Sequence, residues 1–323
     1  MKLAKAYGYL RKDLEEIESS INQMIQADHP VLREASTELL KAGGKRIRPV
    51  FVLLSGQIGT YDLERLKIVA VTLELIHTAT LVHDDVIDDA EIRRGMPTVR
   101  QLYGNRVAMY TGDYILARAL EEITLLRDPK IHRLLSKTIV EVCKGEIEQI
   151  KDKFDWNQDL RTYLRRIKRK TALLIATSCK LGAIASGVNE KDAHRLYQYG
   201  YNIGMSYQII DDILDFTSSE KELGKPAGND LLQGNLTLPV FMAMKDESLR
   251  NKIKNLFHTD QTVSEAEVKV IVQDIKNTSA IEDSYAISER YLNKALQKLN
   301  EIPNSRSKNT LLEIGKYIGK RRS

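Results

Sequence analysis

The chain has 323 residues, of which 42% are hydrophobic and 29% charged, and this composition excludes a disordered or collagen-like protein. The 49 Lys and Arg residues exceed the 44 Asp and Glu residues by only 5, too few over this length to indicate nucleic-acid binding by bulk charge. Two cysteines occur and no apolar leader follows Met1, so we expect a cytoplasmic protein without disulfides. No stretch approaches the roughly 18 consecutive apolar residues of a membrane span, so no transmembrane segment is predicted.

Apolar residues recur at steps of three and four through much of the chain, which is typical of amphipathic helices. One such series is Leu66, Val69, Ala70, Leu73, Ile76 and Thr80, and similar series run over residues 134–147 and 167–184. No proline lies between Pro129 and Pro226, which favours long helices there. Strand-like alternation is almost absent. The sequence therefore predicts an all-α fold of ten or more helices in a single domain over residues 1–323.

Glycine and proline predict the loops between these helices. They place loops at Gly43-Gly44, from Ile92 to Thr98, from Trp156 to Gln158, and from Gly224 to Gly234. No internal repeat or domain-separating linker is evident. We expect the basic C-terminal segment, Lys316 to Arg322, to be an ordinary solvated end.

Two acidic clusters share one spacing. Asp84, Asp85 and Asp88 follow an apolar helical stretch, and Asp211, Asp212 and Asp215 follow another, 127 residues later. On a helix, carboxylates at i and i+4 project from one face. Like charges about 4 Å apart repel one another by about 1 kcal/mol in water and about 4 kcal/mol at an effective dielectric near 20. Carboxylate oxygens suit Mg²⁺, which prefers a few carboxylates together with water and substrate phosphate. A single DDxxD run favours a solvated helix end, but two of identical spacing predict a clamp for Mg²⁺ and a diphosphate.

Several basic residues lie where they could contact a phosphate. Lys45 and Arg48 follow a glycine pair, whose backbone can approach an anion closely. Arg93 and Arg94 follow the first acidic cluster, and their planar guanidinium groups suit bidentate phosphate contacts. The alternatives stay open at this point: a plain basic turn for the first pair, and charge compensation of Asp88 and Asp89 for the second.

Other polar residues share these segments. His77 lies two helical turns before Asp84, on the same stripe, although a lone helical histidine is more often structural. Lys170 and Thr171 end a basic run, most of which we expect to be a solvated face. Gln208 precedes Asp211 by three positions, about 60° around the helix, and Lys225 could reach the same diphosphate.

Taken together, GGKRIRP, LVHDDVIDDAEIRRGMPT, RKTALL and GMSYQIIDDILDF resemble the trans-isoprenyl (polyprenyl) diphosphate synthases. More narrowly, TIVEVCKGEIEQIKDK, LRTYLRRIKRKTALLIA, DLLQGNLTLPV and KYIGKR resemble the catalytic subunits of two-component bacterial synthases that make heptaprenyl diphosphate. The resemblance covers nearly the whole chain. It implies an all-α bundle around a deep apolar cavity and a Mg²⁺-dependent prenyltransferase.

The resemblance also implies a role for each motif. Mg²⁺ held by the two aspartate clusters would bind the allylic diphosphate, such as farnesyl diphosphate, and neutralise its charge as it leaves. Isopentenyl diphosphate would be held by Lys45, Arg48, His77 and Arg94. Arg93, Lys170 and Lys225 match positions that hold the allylic diphosphate, whereas Thr171 and Gln208 match positions that stabilise the allylic cation.

Product length and partner also come from the resemblance. Ala79, five residues before Asp84, matches a position where short-chain members carry a bulky aromatic residue, so a small residue there implies a long product. The resemblance also implies a smaller non-catalytic subunit (component I) and use of the product in a quinone side chain, that of menaquinone. One departure is Asn235, where many members carry a lysine after Gly234.

Three other functions compete with this interpretation. A short-chain farnesyl or geranylgeranyl diphosphate synthase is disfavoured by Ala79. A terpene cyclase shares the first motif, but its second metal motif is usually of an NDxxSxxxE type, which Asp211 to Asp215 is not. A non-catalytic polyprenyl-binding subunit has no reason to keep both aspartate clusters together with the basic set.

Overall fold

The computed structural model describes residues 3–41, 43–44, 46–218, 226–257 and 263–321, and these residues are predominantly helical. The first helices are α1 (Leu3–Ala6), α2 (Arg11–Met24), α3 (Pro30–Lys41), α4 (Ile47–Gly56), α5 (Leu63–Ile87) and α6 (Val99–Ile123). The central helices are α7 (Pro129–Asp152), α8 (Leu160–Ile167), α9 (Leu173–Ala185) and α10 (Glu190–Thr217). The last are α11 (Asn229–Leu232), α12 (Leu238–Ala243), α13 (Glu247–Phe257), α14 (Glu265–Lys276), α15 (Ala280–Asn300) and α16 (Arg306–Gly319). The predicted all-α fold of ten or more helices is confirmed.

Two segments depart from regular α-helix. Strands β1 (Ile92–Arg93) and β2 (Met96–Pro97) pair antiparallel, where the sequence predicted only a loop. Arg94 and Gly95 join them with positive φ angles of 54° and 78°, as in a type I′ turn. A π-helical turn, Lys168–Ala172, lies between α8 and α9. Both departures fall on segments that the sequence singled out for phosphate contacts.

The other predicted loops are largely confirmed. Gly43-Gly44 and the segment from Trp156 to Gln158 lie outside helices. In the segment from Gly224 to Gly234, the short helix α11 interrupts the expected loop, and residues 224 and 225 lie outside the described residues.

Side-chain caps fix where several helices begin. The side chain of Asp62 accepts a hydrogen bond from Arg65 N before α5, and Thr98 accepts one from Gln101 N before α6. Asp159 caps α8 in the same way. A cap of this kind stabilises a helix by about 1 kcal/mol, so these residues set the register of the helices that carry the acidic and basic motifs.

The chain divides into two compact units. Unit 1 comprises Met1–Ser136, Thr177–Tyr197 and Ile302–Leu311, and unit 2 comprises Lys137–Ala176, Gln198–Glu301 and Leu312–Ser323. The single domain expected over residues 1–323 stays a prediction.

Helix α5 forms part of the core of unit 1. Among the described helices it is the one long and apolar enough to cross a membrane by length and composition, but 67% of its apolar window is buried inside the protein. A helix that is hydrophobic on all sides is typical of a core. Its C-terminal end carries the first acidic cluster, so the core itself positions those carboxylates.

The core of unit 2 surrounds the second acidic cluster. Ile209, Ile213 and Phe216 are fully buried on α10 and pack with buried residues of the helices that follow. The carboxylates of Asp212 and Asp215 therefore lie on an apolar helix whose rotation is fixed by packing.

Candidate active site

The first acidic cluster ends α5 at the edge of the unit 1 core. Asp84 and Asp85 are 9% and 3% exposed, and Asp88 is the residue at which the helix ends. The backbone N–H of Asp88 donates to Asp84 O at 2.8 Å, and that of Ala90 donates to Asp85 O at 2.9 Å. The helix therefore ends directly after these two buried acidic residues, and the chain changes direction there.

Arg93 neutralises one of these carboxylates. Its Nε and Nη2 atoms both lie 2.7 Å from Asp85 Oδ1. Burial raises the pKa of Asp85 above its ordinary value, although the charge of Arg93 acts in the opposite direction. The sequence left open whether Arg93 compensates Asp88 and Asp89; the structure instead pairs it with Asp85, and Asp89 pairs with Arg100 at 2.5 Å.

His77 lies on α5, the helix that carries the first acidic cluster, and positive charges from other segments surround it. Burial lowers the pKa of His77 well below 6.5, and the charges of four arginines, Arg48, Arg94, Arg93 and Arg46, lower it further. The guanidinium of Arg94 also lies against Gly44. A Cβ atom built on this glycine would be only 2.9 Å from Arg94 Nη1, so a larger residue would crowd the guanidinium. Of the basic residues predicted for this region, Arg48, Arg93 and Arg94 therefore form one cationic group around the imidazole of His77. This group is called the arginine cluster below. Lys45 lies outside the described residues.

Arg46 joins this cluster although sequence reasoning missed it. It donates to both carboxylate oxygens of Glu18 at 2.6 and 2.8 Å and to Glu74 at 3.1 Å, and its φ of 46° is left-handed. These pairs tie the loop before α4 to α2 and α5. Nothing in its sequence neighbourhood distinguishes Arg46 from Arg48, because the partners are 28 residues away on either side.

The second acidic cluster is held by hydrogen bonds within unit 2. Asp212 is 4% exposed and accepts from the Tyr163 hydroxyl at 2.7 Å and from Gln208 Nε2 at 2.8 Å. Burial and the neighbouring carboxylate of Asp230 raise the pKa of Asp212 to about 8, against the effect of both hydrogen bonds. Tyr163 and Asp230 were missed from the sequence, since neither belongs to the aspartate motif.

The other two aspartates of this cluster have different surroundings. Asp215 is 2% exposed, and its Oδ2 accepts from the backbone N–H of Asp230 at 3.1 Å. Asp211 is exposed, with its Oδ1 3.7 Å from Nη2 of Arg321. Arg321 also lies over the ring of Tyr207, 5.3 Å from its centroid. The expectation of a solvated basic end was therefore wrong for Arg321.

The predicted cation-stabilising pair is brought together. Thr171 Oγ1 donates to Gln208 Oε1 at 2.6 Å, while the amide nitrogen of Gln208 bonds Asp212 and not Asp211. Lys170, in the π-helical turn, donates to Gln149 at 2.9 Å and lies 3.8 Å from Glu146. Within the basic run before Lys170, most of which was expected to be a solvated face, Arg166 is buried, with only 5% exposed.

The remaining predicted positions are quickly placed. Ala79 is 1% exposed within α5. The backbone N–H of Asn235 donates to Asp230 O at 2.8 Å, which links the departure noted above to a neighbour of the second cluster. Lys225 lies outside the described residues.

The donor set decides which metal these clusters could hold. Within the described residues no three His, Cys, Asp or Glu side chains are already arranged around a metal position. Mg²⁺ does not need such a cage, because it binds through one or two carboxylates together with water and phosphate oxygens. The oxygen-only clusters therefore fit Mg²⁺ that binds jointly with a diphosphate.

Because His77 is partly buried beside the arginine cluster, we expect the free energy of unfolding to depend on pH. The folded protein keeps His77 neutral, whereas the unfolded chain binds a proton there below about pH 6.5, so stability is lost as the pH falls through that value. Between pH 7.5 and 5.5 this contributes about 1.4 kcal/mol to the loss. In urea unfolding, His77→Gln should lose less stability over this range by about that amount. The control His29→Gln, at an exposed position, should behave like the parent, and equal pH dependence in all three proteins would contradict the prediction.

Comparisons with known proteins agree with the motifs. Residues 29–275 match the model of the polyprenyl synthetase family. The chain is 61% identical over 322 residues to heptaprenyl diphosphate synthase component 2 of Bacillus subtilis, covering 100% of this chain and 92% of the relative. It is 56% identical to the protein of that name from Geobacillus stearothermophilus, with 99% of each covered.

Solved structures agree as well. A heptaprenyl diphosphate synthase from Staphylococcus aureus superposes with a TM-score of 0.92 at 43% identity, covering 97% of this chain and 99% of that one. A decaprenyl diphosphate synthase from Rhodobacter capsulatus gives a TM-score of 0.92 at 28% identity, with 99% of both chains covered. With two aspartate clusters of one spacing and these matches over its length, the chain belongs to the polyprenyl synthetase family.

Proposed function

We propose that this chain is the catalytic subunit of a long-chain trans-polyprenyl diphosphate synthase whose product is heptaprenyl diphosphate. It would condense isopentenyl diphosphate successively onto an allylic diphosphate such as farnesyl diphosphate. Similarity over the whole chain to two proteins named heptaprenyl diphosphate synthase component 2 supports this product.

One observation carries the proposal: buried acidic residues and a group of four arginines around His77 occur together in unit 1. Asp84 and Asp85 are almost fully buried, and four arginines act on His77 in the same unit. A carboxylate-bound cation and an arginine-bound anion are the two charges that a reaction between two diphosphates requires. A polyprenyl carrier without catalysis would need neither.

The aspartates would hold the metal. Asp84, Asp85 and Asp88 of the first cluster and Asp211, Asp212 and Asp215 of the second are the proposed Mg²⁺ ligands. When bound, Mg²⁺ would neutralise charge on the allylic diphosphate as its carbon–oxygen bond breaks. The Tyr163 hydroxyl and the Gln208 amide fix the orientation of the Asp212 carboxylate before any ligand arrives. Because the pKa of Asp212 is raised to about 8, ligation requires this residue to lose its proton.

The basic and polar residues would hold the substrates. Lys45, Arg48, His77 and Arg94 are proposed to bind isopentenyl diphosphate, and a neutral His77 can donate one hydrogen bond without adding to the repulsion among the arginines. Arg93, Lys170 and Lys225 are proposed to bind the allylic diphosphate. Thr171 Oγ and the Gln208 amide oxygen are proposed to stabilise the allylic cation, which isopentenyl diphosphate attacks through its double bond.

We also propose a partner subunit, a cellular location for the protein and a use for its product. The name component 2, shared by two relatives, supports a smaller non-catalytic subunit, component I, as partner in a heterodimer. We place the protein in the cytoplasm and its product in the side chain of a quinone such as menaquinone.

An elongation assay tests the function directly. The chain, a candidate small subunit, Mg²⁺, farnesyl diphosphate and labelled isopentenyl diphosphate should give a heptaprenyl product on chromatography. Asp84→Asn keeps the side-chain size but removes a proposed metal ligand, so we expect turnover to fall by a factor on the order of 10² to 10³, as when a charge-stabilising group of a catalytic site is removed. Urea unfolding should show little loss of stability, because the change relieves repulsion between carboxylates.

The matched control is Asp89→Asn, a side chain that is 76% exposed on the same segment and pairs with Arg100. It should retain most of the activity. Absence of elongation by the parent protein, or full activity of a folded Asp84→Asn variant, would refute the proposed function.

Product length gives a separate prediction. Ala79 is buried about 7.5 Å of helix rise before Asp84, so a bulky side chain there should block a growing prenyl chain if α5 lines the cavity. Ala79→Tyr should shorten the products to the farnesyl or geranylgeranyl range, and Ala79→Val should shorten them less. Thermal unfolding checks that both variants fold. A folded Ala79→Tyr variant with an unaltered product profile would contradict the chain-length role.

A further inference from the structure

Unit 2 contains a surface cavity that the proposed chemistry does not use. It has a volume of about 250 Å³ and lies between the segment before α8 and helices α12 and α13. Its walls combine apolar and cationic side chains: Trp156, Phe241, Met244, Lys245, Arg250 and Lys254. Among the residues that the structure describes, no acidic side chain contributes to these walls.

The aromatic wall is held in place by packing. The indole of Trp156 stacks on the ring of Phe257 with centroids 4.4 Å apart and planes inclined by 26°. Phe241 lies against Tyr163, with 5.7 Å between ring centroids. Trp156 is 7% exposed, so most of its surface is already covered. A ligand would therefore meet a preformed apolar surface and would not have to order it first.

The cationic wall lacks negative partners. Lys254 Nζ donates to the neutral amide oxygen of Asn157 at 2.7 Å, and Arg250 Nε donates to the carbonyl of Met244 at 2.8 Å. Across the described ranges, no carboxylate lies within 4 Å of the side-chain nitrogens of Lys245, Arg250 or Lys254. By contrast, Lys252 on the same helix forms an ion pair with Asp274 and does not line the cavity.

An anion with a flat apolar part fits these walls. Three like charges repel one another, and an anion between them removes that repulsion. Arginine binds carboxylates and phosphates through two parallel hydrogen bonds, and aromatic rings favour a flat apolar neighbour. The volume lies below the roughly 300–1,000 Å³ of typical drug-sized sites, which restricts the ligand to one or two rings. We propose that this cavity binds a small aromatic carboxylate or phosphate.

The cavity also connects to the second acidic cluster. Phe241 contacts Tyr163, whose hydroxyl donates to the Asp212 carboxylate. A ligand that presses on Phe241 would change the position of Tyr163 and so the hydrogen bond that orients Asp212. This coupling rests on the proposed function, whereas binding itself does not.

The single tryptophan of the chain makes binding directly measurable, because Trp156 lines the cavity. Titration of the full chain with 2-naphthoate should change the tryptophan emission saturably, and phenyl phosphate tests the alternative anionic group. The uncharged 2-naphthalenemethanol should bind at least tenfold more weakly, since it cannot form charge-assisted hydrogen bonds.

Charge-removing variants locate the site. Arg250→Gln and Lys254→Gln should each weaken binding of the tighter anion roughly tenfold, whereas Lys252→Gln should leave it unchanged. Circular dichroism checks that each variant folds, and either cavity variant suffices if the other does not. Absence of a saturable change with both anions, or equal affinity in parent and folded cavity variants, would overturn the site. Binding without any change in elongation rate would overturn the coupling alone.

Discussion

Carboxylates placed against an apolar core are the constraint on which the rest of this structure depends. Two ionised groups about 4 Å apart repel by about 4 kcal/mol at an effective dielectric near 20, and burial disfavours each charge further. The fold offsets this cost differently in its two acidic clusters. Arg93 neutralises Asp85 by a direct ion pair, whereas Tyr163 and Gln208 stabilise Asp212 by neutral hydrogen bonds.

The difference follows from what each unit places nearby. The first cluster ends its helix beside a hairpin that returns Arg93, in a unit rich in arginines around His77. The second cluster lies inside α10, where Asp230 adds another carboxylate and the pKa of Asp212 rises to about 8. An incoming cation would therefore find one cluster already partly compensated and the other partly protonated. Under the proposed function, Mg²⁺ and a diphosphate would complete the charge balance that these side chains leave unfinished.

Much of the fold could be predicted because an amphipathic helix repeats its apolar residues every three or four positions along the sequence. The three-and-four periodicity of residues 66–80 gave α5, and the long proline-free stretch gave α7, α9 and α10. The hairpin at Ile92–Pro97 escaped prediction because two-residue strands leave no alternation to detect. Most of the basic run before Lys170 was expected to be a solvated face, but Arg166 is buried beside Tyr163, since a charge run does not reveal which of its members turns inward.

The site shows the same division. Thr171 and Gln208, 37 residues apart, were expected to share one task and do share a hydrogen bond. Tyr163 and Asp230 could not be found, because both lie outside the helix that carries their partner Asp212 and neither has a local motif. The shared task of Thr171 and Gln208 came from the family resemblance, and sequence spacing reveals only residues on one helix face. Supporting residues from other elements become visible only in the packed structure.

We propose that the acidic clusters bind Mg²⁺ tightly only together with a diphosphate. Calorimetric titration of Mg²⁺ into the metal-free protein, with and without inorganic diphosphate, tests this most directly. We expect the protein alone to bind Mg²⁺ weakly. With inorganic diphosphate present, we expect a marked gain in Mg²⁺ affinity, larger than the affinity of Mg²⁺ for diphosphate in buffer explains. Tight Mg²⁺ binding without diphosphate, or no gain over diphosphate in buffer, would contradict it.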